Sequence, residues 1–181
     1  MAGVFKEAVL TAKGIALLAK AQAGRCTIKL TKAADGSYSD GEALTNRTAL
    51  KSKKQEFALI TVTTQNQSNV YVKFIITNKQ DTGNLKNGYY VKEVGIYAQD
   101  PDEGEILYAL AVGVANQWDY MPAYNDLLPS TITMDFLTEV ANATDVTIVT
   151  PNSMYLYDQT TGDKYVLGVD KGLLYYEEVE E

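Results

Sequence analysis

Histidine is missing from this 181-residue chain, and cysteine occurs once, at Cys26. The first absence removes Ser/His/Asp and Cys/His catalytic arrangements, imidazole metal sites and the usual general base near neutral pH. The second excludes an intrachain disulfide framework and a thiolate zinc cluster, and leaves Cys26 to be read as a small buried apolar residue. Positive charge is also short. Sixteen basic residues face twenty-three acidic ones, net −7, so the field of the whole chain repels phosphate backbones and anionic lipid surfaces. Neither nucleic acid nor a membrane is expected as a partner. No apolar run nears the length of about eighteen residues that spans a bilayer. Between Phe5 and Gly24 only Ala21 and Ala23 suggest a cleavage site; the apolar run Ile15 to Ala19 is too short for a signal sequence and is bracketed by Lys13 and Lys20. The expected product has no signal peptide and is made in a bacterial cytoplasm, so the N-x-S/T triplets at Asn46, Asn66 and Asn142 carry no weight.

What is present is alternation. Around a turn at Gln99 to Gly104, Val94, Ile96 and Ala98 alternate with Glu93, Gly95 and Tyr97; Ile106, Tyr108, Leu110 and Val112 alternate with Leu107, Ala109 and Ala111. That period of two predicts a β-hairpin of half-buried strands, around which the rest packs. Upstream, Thr11 is placed to cap a helix running to about Ala23, with Ile15, Leu18, Ala19 and Gln22 on its apolar side and Gly24 as a left-handed stop. Val4, Ala8 and Ala12 leave open an earlier start. Gly14 within the first turn points to a close backbone approach.

Cys26, Ile28 and Leu30 then begin a strand that the Ala34-Asp35-Gly36 turn is expected to end, and Asp35 to Lys54 reads as a long surface loop. Two β-rich runs, Glu56 to Thr64 and Asn69 to Thr77, are joined as a hairpin through Gln65 to Ser68; Asn78 to Gly88 is turn chemistry. After Val114 a proline-containing loop carries Trp118, Tyr120 and Tyr124. A strand with Ile132, Met134, Phe136 and Val140 on one side follows, then the Asn142 to Thr144 turn and a last strand at Val146 and Ile148. The fold class is α+β, mainly β, with antiparallel sheets in a sandwich-like arrangement and one N-terminal helix packed on them. The length suits one domain over residues 1–150 with a short three-stranded β-meander over 151–181.

Two features invite a functional reading. Asp100, Asp102, Glu103 and Glu105 offer oxygen ligands for a hard cation, but their spacing is not that of an EF-hand, and a solvated turn explains them; no metal and no cofactor is expected. Trp118, Tyr120 and Tyr124 could instead anchor a protein partner or stack on a sugar ring, against the plainer reading of a loop folded over one end of the sandwich. Paired carboxylates at Asp100 and Glu105, or Asp135 and Glu139, are read as strand and turn polarity. No enzyme is expected.

Two segments resemble the N-terminal domain of phage tail-collar fibre proteins. One is Phe5, Ala8, Leu10, Thr11, Gly14, Leu18, Ala19 and Ala21 in the arrangement F-x-x-A-x-L-T-x-x-G-x-x-x-L-A-x-A; the other is Glu93-Val94-Gly95-Ile96-Tyr97-Ala98, an acidic turn, and Glu105-Ile106-Leu107-Tyr108-Ala109. With the strand from Ile132 to Phe136, the resemblance covers about residues 4 to 150. Ala34-Asp35-Gly36 departs from the Gly-Asp-Gly of relatives. The resemblance implies a phage- or prophage-encoded, non-enzymatic virion structural protein: a tail fibre or baseplate-attached component, homotrimeric, bound to other tail proteins and engaged in host attachment, with a host surface glycan as a further partner. A stand-alone carbohydrate-binding module is the alternative that the tyrosines and Trp118 support.

Overall fold

The computed structural model describes residues 3–38, 43–66, 69–80, 83–139, 146–148, 154–157, 164–170 and 173–178. In chain order these form β1 (Val9–Leu10), α1 (Ala12–Gln22), β2 (Ile28–Gly36), a 3-10 turn (Leu44–Asn46), β3 (Lys53–Phe57), β4 (Thr61–Asn66), β5 (Asn69–Thr77), β6 (Lys79–Gln80), β7 (Gly83–Asn84), β8 (Tyr89–Val91), β9 (Glu93–Asp100), β10 (Gly104–Val112), β11 (Asp119–Met121), β12 (Thr131–Glu139), β13 (Val146–Ile148), β14 (Met154–Tyr157), β15 (Lys164–Asp170) and β16 (Leu173–Glu178). The chain divides into two compact units, Met1–Val149 and Thr150–Glu181.

In the first unit the predicted hairpin is the centre of the larger sheet, whose order is β1-β10-β9-β2-β13 with β3 also on β2. β3 and β13 share one edge of β2: β3 runs antiparallel along Ala33 to Gly36, and β13 runs parallel along Ile28 to Leu30. That parallel pairing is the exception to the expected antiparallel sheets. A second sheet, β12-β5-β4, supplies Val70, Val72, Phe74 and Ile76 to the core that Ile28, Leu30, Val94, Ile96 and Ala98 enter from the first. The fold is α+β and mainly β, as the alternation indicates. The second unit is the antiparallel meander β14-β15-β16. Its turns, Val140 and the Asn142 to Thr144 turn lie outside the described residues.

Among the described residues the register shifts in four ladders, and two of these shifts flank the central strand β9. The pairing of β10 with β9 shifts between Leu107 and Ala109, and that of β2 with β9 shifts between Leu30 and Lys32. Tyr108 and Thr31 are therefore extra residues, one on each side of Tyr97, and each β-bulge reverses the faces beyond it. Ile106 and Tyr108 reach the main core, but beyond the bulge Ala109 and Ala111 do so, while Leu110 joins Ala34, Leu50 and Leu107 on the opposite face. The segment holding Leu44 and Leu50 covers that face, so β10 is buried on both sides from Ile106 to Val112 rather than half-buried. Gly95 makes the cover possible: a Cβ there would lie 2.6 Å from Leu107 Cδ1 and 3.0 Å from Leu50 Cδ2.

The helix begins and ends where its caps predict. Thr11 Oγ1 accepts from the Gly14 N–H at 2.9 Å, and Gly24 has a φ of 71°. It does not extend backwards, because Val9 and Leu10 pair with Leu110 and Ala109. Its buried face is Gly14 and Leu17 flanked by Leu18 and Ala21, not the side holding Ile15, Ala19 and Gln22; Ile15 is 50 % exposed. The reason is Gly14, whose missing side chain lets the helix approach until a Cβ would sit 2.1 Å from the Tyr108 carbonyl oxygen. Docked by that edge, α1 turns Leu17 inward one turn on.

Two acidic residues expected at the surface are buried. Ala34-Asp35-Gly36 is strand, not turn: Asp35 accepts from Tyr89 Oη at 2.5 Å and from the Gln55 N–H at 3.0 Å. The expected loop from Asp35 to Lys54 is thus shorter, with its ends in β2 and β3. Glu93 pairs with Arg47 in the interior and accepts from the Ser52 N–H at 2.7 Å and the Lys51 N–H at 3.3 Å. The run from Glu56 to Thr64 is divided at residues 58–60 between β3 and β4, and β4 alone forms the hairpin with β5.

Candidate functional site

The expected loop after Val114 contains a short strand. β11 pairs with β8, placing Tyr120 opposite Tyr90 and Met121 opposite Tyr89. Alternation sorts the side chains: Tyr89, Val91 and Met121 enter the core, while Tyr90 and Tyr120 stand outward, 51 % and 54 % exposed. Their ring centroids are 5.1 Å apart at an interplanar angle of 60°, and Trp118 lies 6.3 Å from Tyr90 at 59°. Lys92 sets its ammonium 4.1 Å from the centre of the Trp118 ring, a cation–π contact on the flank of the cluster.

Neighbouring backbone makes room for these rings. A Cβ on Gly113 would lie 2.6 Å from Trp118 Cδ1, and one on Gly88 would lie 2.2 Å from Tyr120 Oη. Asn116, in the left-handed region at φ 63°, reverses the chain just ahead of Trp118, helped by the Gln117 N–H donating to the Val114 carbonyl at 3.1 Å. Trp118 Nε1 is buried and has no acceptor among the described residues.

Of the three aromatic residues the sequence singles out, Trp118 and Tyr120 therefore converge, through Tyr90. Tyr124 does not join them: its ring receives Lys79 at 5.6 Å, and its N–H donates to the Leu85 carbonyl at 2.9 Å. Tyr90 and Lys92 were missed by sequence reasoning. The signal was there, since Tyr90 has the outward parity between Tyr89 and Val91. Leu127 and Leu128, 78 % and 80 % exposed, add apolar surface to the segment after Tyr124.

The acidic turn is engaged by lysines. Lys20 reaches Asp100 at 2.7 Å and Asp102 at 2.9 Å, Lys13 reaches Glu103 at 2.5 Å, and Lys32 reaches Glu105 at 2.6 Å. Burial pushes the Asp100 carboxyl up, but hydrogen bonds from Lys20 and from the Asp102 and Glu103 N–H groups outweigh it and hold the group below its ordinary value. Asp135, on the exposed side of β12, faces Lys73 at 3.7 Å. Cys26 is a free thiol, partly buried against the core.

Residues 1–173 match the family model for the N-terminal part of phage tail-collar fibre proteins. The chain belongs to that family. Neither a curated protein nor a solved structure matches it. Family membership makes it a structural protein of the phage tail, a component of the virion that associates with other tail proteins. The tail-collar motifs meet in space: Thr11 and Gly14 of the first rest on Leu107 and Tyr108 of the second. None of the described helices is long and apolar enough to cross a membrane.

Proposed function

We propose that this tail-collar fibre protein is a non-enzymatic fibre or baseplate-attached component, phage- or prophage-encoded, that assembles as a homotrimer on other tail proteins and takes part in host attachment. Its mechanism is binding. The observation that carries the reading is the Tyr90–Trp118–Tyr120 cluster: Tyr90 and Tyr120 stand on a two-stranded ladder whose inward residues are fixed in the core, and Trp118 lies beside Tyr90 just ahead of β11. Rigid, half-exposed aromatics are the side chains from which protein contacts draw most of their energy. The Tyr90 ring is inclined by about 60° to each of the other two, a surface that suits interdigitating side chains better than the flat face of a sugar. Tyr124 with Lys79 supplies a separate contact point.

Light scattering on the eluting protein across a wide dilution range tests the assembly: a persistent trimer is expected, and a stable monomer overturns it. Co-sedimentation with tails lacking the protein tests the contact surface. Tyr90→Ala with Tyr120→Ala should abolish capture while leaving unfolding unchanged within about 1 kcal/mol, as exposed positions do. Glycan-array binding that Tyr120→Ala removes, without co-assembly, would instead support a stand-alone carbohydrate-binding module and a host glycan as ligand.

A further inference from the structure

Alternation gives the β8–β11 ladder two faces. Tyr90, Trp118 and Tyr120 meet on one of them, and Lys92 joins it through its contact with the Trp118 ring. The other face carries Val91 and Asp119, which stand opposite each other in the pairing. Asp119 is the only carboxylate of the ladder, and it is turned toward Gly3, where a Cβ would lie 2.7 Å from its Oδ2. Glu93, next in the chain after Lys92, is buried against Arg47.

The aromatic face therefore holds a positive charge and no negative one. Lys13, Lys20, Lys32, Lys53 and Lys73 each have a carboxylate beside them. Lys92 has none among the described residues; its ammonium is set against the indole alone. The ring attracts the charge but offers no oxygen lone pair, so the ammonium keeps donors for an acceptor. In a chain of net charge −7 this is a local reversal of sign, and it draws a negative group to the rings. Lys92 is already half-buried. A neutral segment laid over the rings would strip its remaining water and return no acceptor, which costs affinity.

Family membership supplies the setting, since the chain associates with other tail proteins. We propose that this face docks a segment of another tail protein in which an aspartate or glutamate pairs with Lys92 while flanking apolar side chains cover Tyr90 and Tyr120. The inference rests on the reading of the aromatic cluster as the contact surface and adds the chemistry of what it contacts.

Purified tails lacking the protein are the probe, with the full chain added and co-sedimentation read at low salt. Lys92→Glu should lower capture about tenfold, Lys92→Gln several-fold, and Lys92→Arg less than about twofold. Lys29→Glu, at an exposed position of β2, makes the same change in net charge and should leave capture unchanged, which separates a local contact from the field of the whole chain. Raising the ionic strength should weaken capture of the wild type more steeply than that of Lys92→Gln. A zero-length carbodiimide cross-linker, which joins an amine to a carboxylate in contact with it, should link Lys92 to an aspartate or glutamate of a tail protein. Urea midpoints check that the variants fold. The Lys92 N–H donates to the Gly36 carbonyl at 2.8 Å and its carbonyl accepts from the Gly113 N–H at 2.7 Å, and neither bond involves the side chain.

Capture that Lys92→Glu leaves unchanged while Tyr90→Ala with Tyr120→Ala abolishes it overturns this proposal and leaves the contact surface standing. Capture that neither variant changes overturns both. A Lys92 cross-link to a second copy of the chain overturns the assignment to another protein, as does glycan-array binding confined to carboxylate-bearing sugars and lost in Lys92→Gln.

Discussion

The Thr11 hydroxyl donates to the Leu107 carbonyl at 2.5 Å while accepting from the Gly14 N–H at 2.9 Å. One side chain thus caps α1 and fastens it to β10 beside the bulge. Thr11→Val should cost about 1–3 kcal/mol, a helix cap plus a buried hydrogen bond, and Thr11→Ser should retain most of it. Gly14→Ala separates docking from helix propensity. In a free helix it would gain about 1 kcal/mol, but here the added Cβ meets the Tyr108 carbonyl, and a net loss of about 1–3 kcal/mol or more is expected. Urea midpoints of the three variants check both.

Glu93→Gln tests the interior ion pair. Arg47 and Glu93 are both buried, and the guanidinium Nη1 already lacks a partner among the described residues. Neutralising the carboxylate strands a charge in a dry place, at about 3–5 kcal/mol. Because the pair is shielded from ions, the loss should persist in high salt, unlike that of an exposed pair. Denaturation of both proteins at low and high ionic strength measures it.

Asp35 gives stability a pH dependence opposite to that of most carboxylates. Burial raises its carboxyl from 3.8 to about 6, against the opposing hydrogen bonds from Tyr89 and Gln55. The unfolded chain releases this proton near pH 4, whereas the native state holds it until about 6, so the native state binds more protons in between. Stability from this group is complete below pH 3.8 and is lost as pH rises through about 6, by on the order of 3 kcal/mol. The difference between wild type and Asp35→Asn, followed from pH 3.5 to 7.5 by urea unfolding, should show that decline; a flat difference contradicts it.

Leu17→Ala and Ile15→Ser read the orientation of α1. Leu17 is fully buried and Ile15 is half exposed, so the first should cost about 2–5 kcal/mol and the second less than about 0.5 kcal/mol. The reverse order would mean that the helix docks by its other side.

Alternation was enough to find β5, β9, β10 and β12, because each has a strict apolar period over many residues. It failed beyond Tyr108 and Thr31, where one extra residue reverses parity and nothing local marks the insertion. Asp35-Gly36 looked like a turn because those residue types favour turns on their own; what holds Asp35 in a strand is a tyrosine hydroxyl 54 residues away. Alternation places Glu93 on the face away from Val94 and Ile96; that this face is covered depends on the segment carrying its partner Arg47, 46 residues distant. Trp118 and Tyr120 were legible as an aromatic pair on one loop. Their grouping with Tyr90 required the β8–β11 ladder, which three-residue strands are too short to announce.

The matched bulges at Thr31 and Tyr108 also bear on how the chain tolerates insertions and deletions. Deleting Tyr108 would remove the bulge and leave Ala109 and Ala111 opposite their present partners and facing the main core, at the cost of one fully buried side chain. Deleting a residue from the regular part of a strand would turn the following side chains to the wrong face. Because the two irregularities flank the same residue, Tyr97, they lock three strands in one alignment. Variation in length should therefore collect in the connections and stay out of these strands.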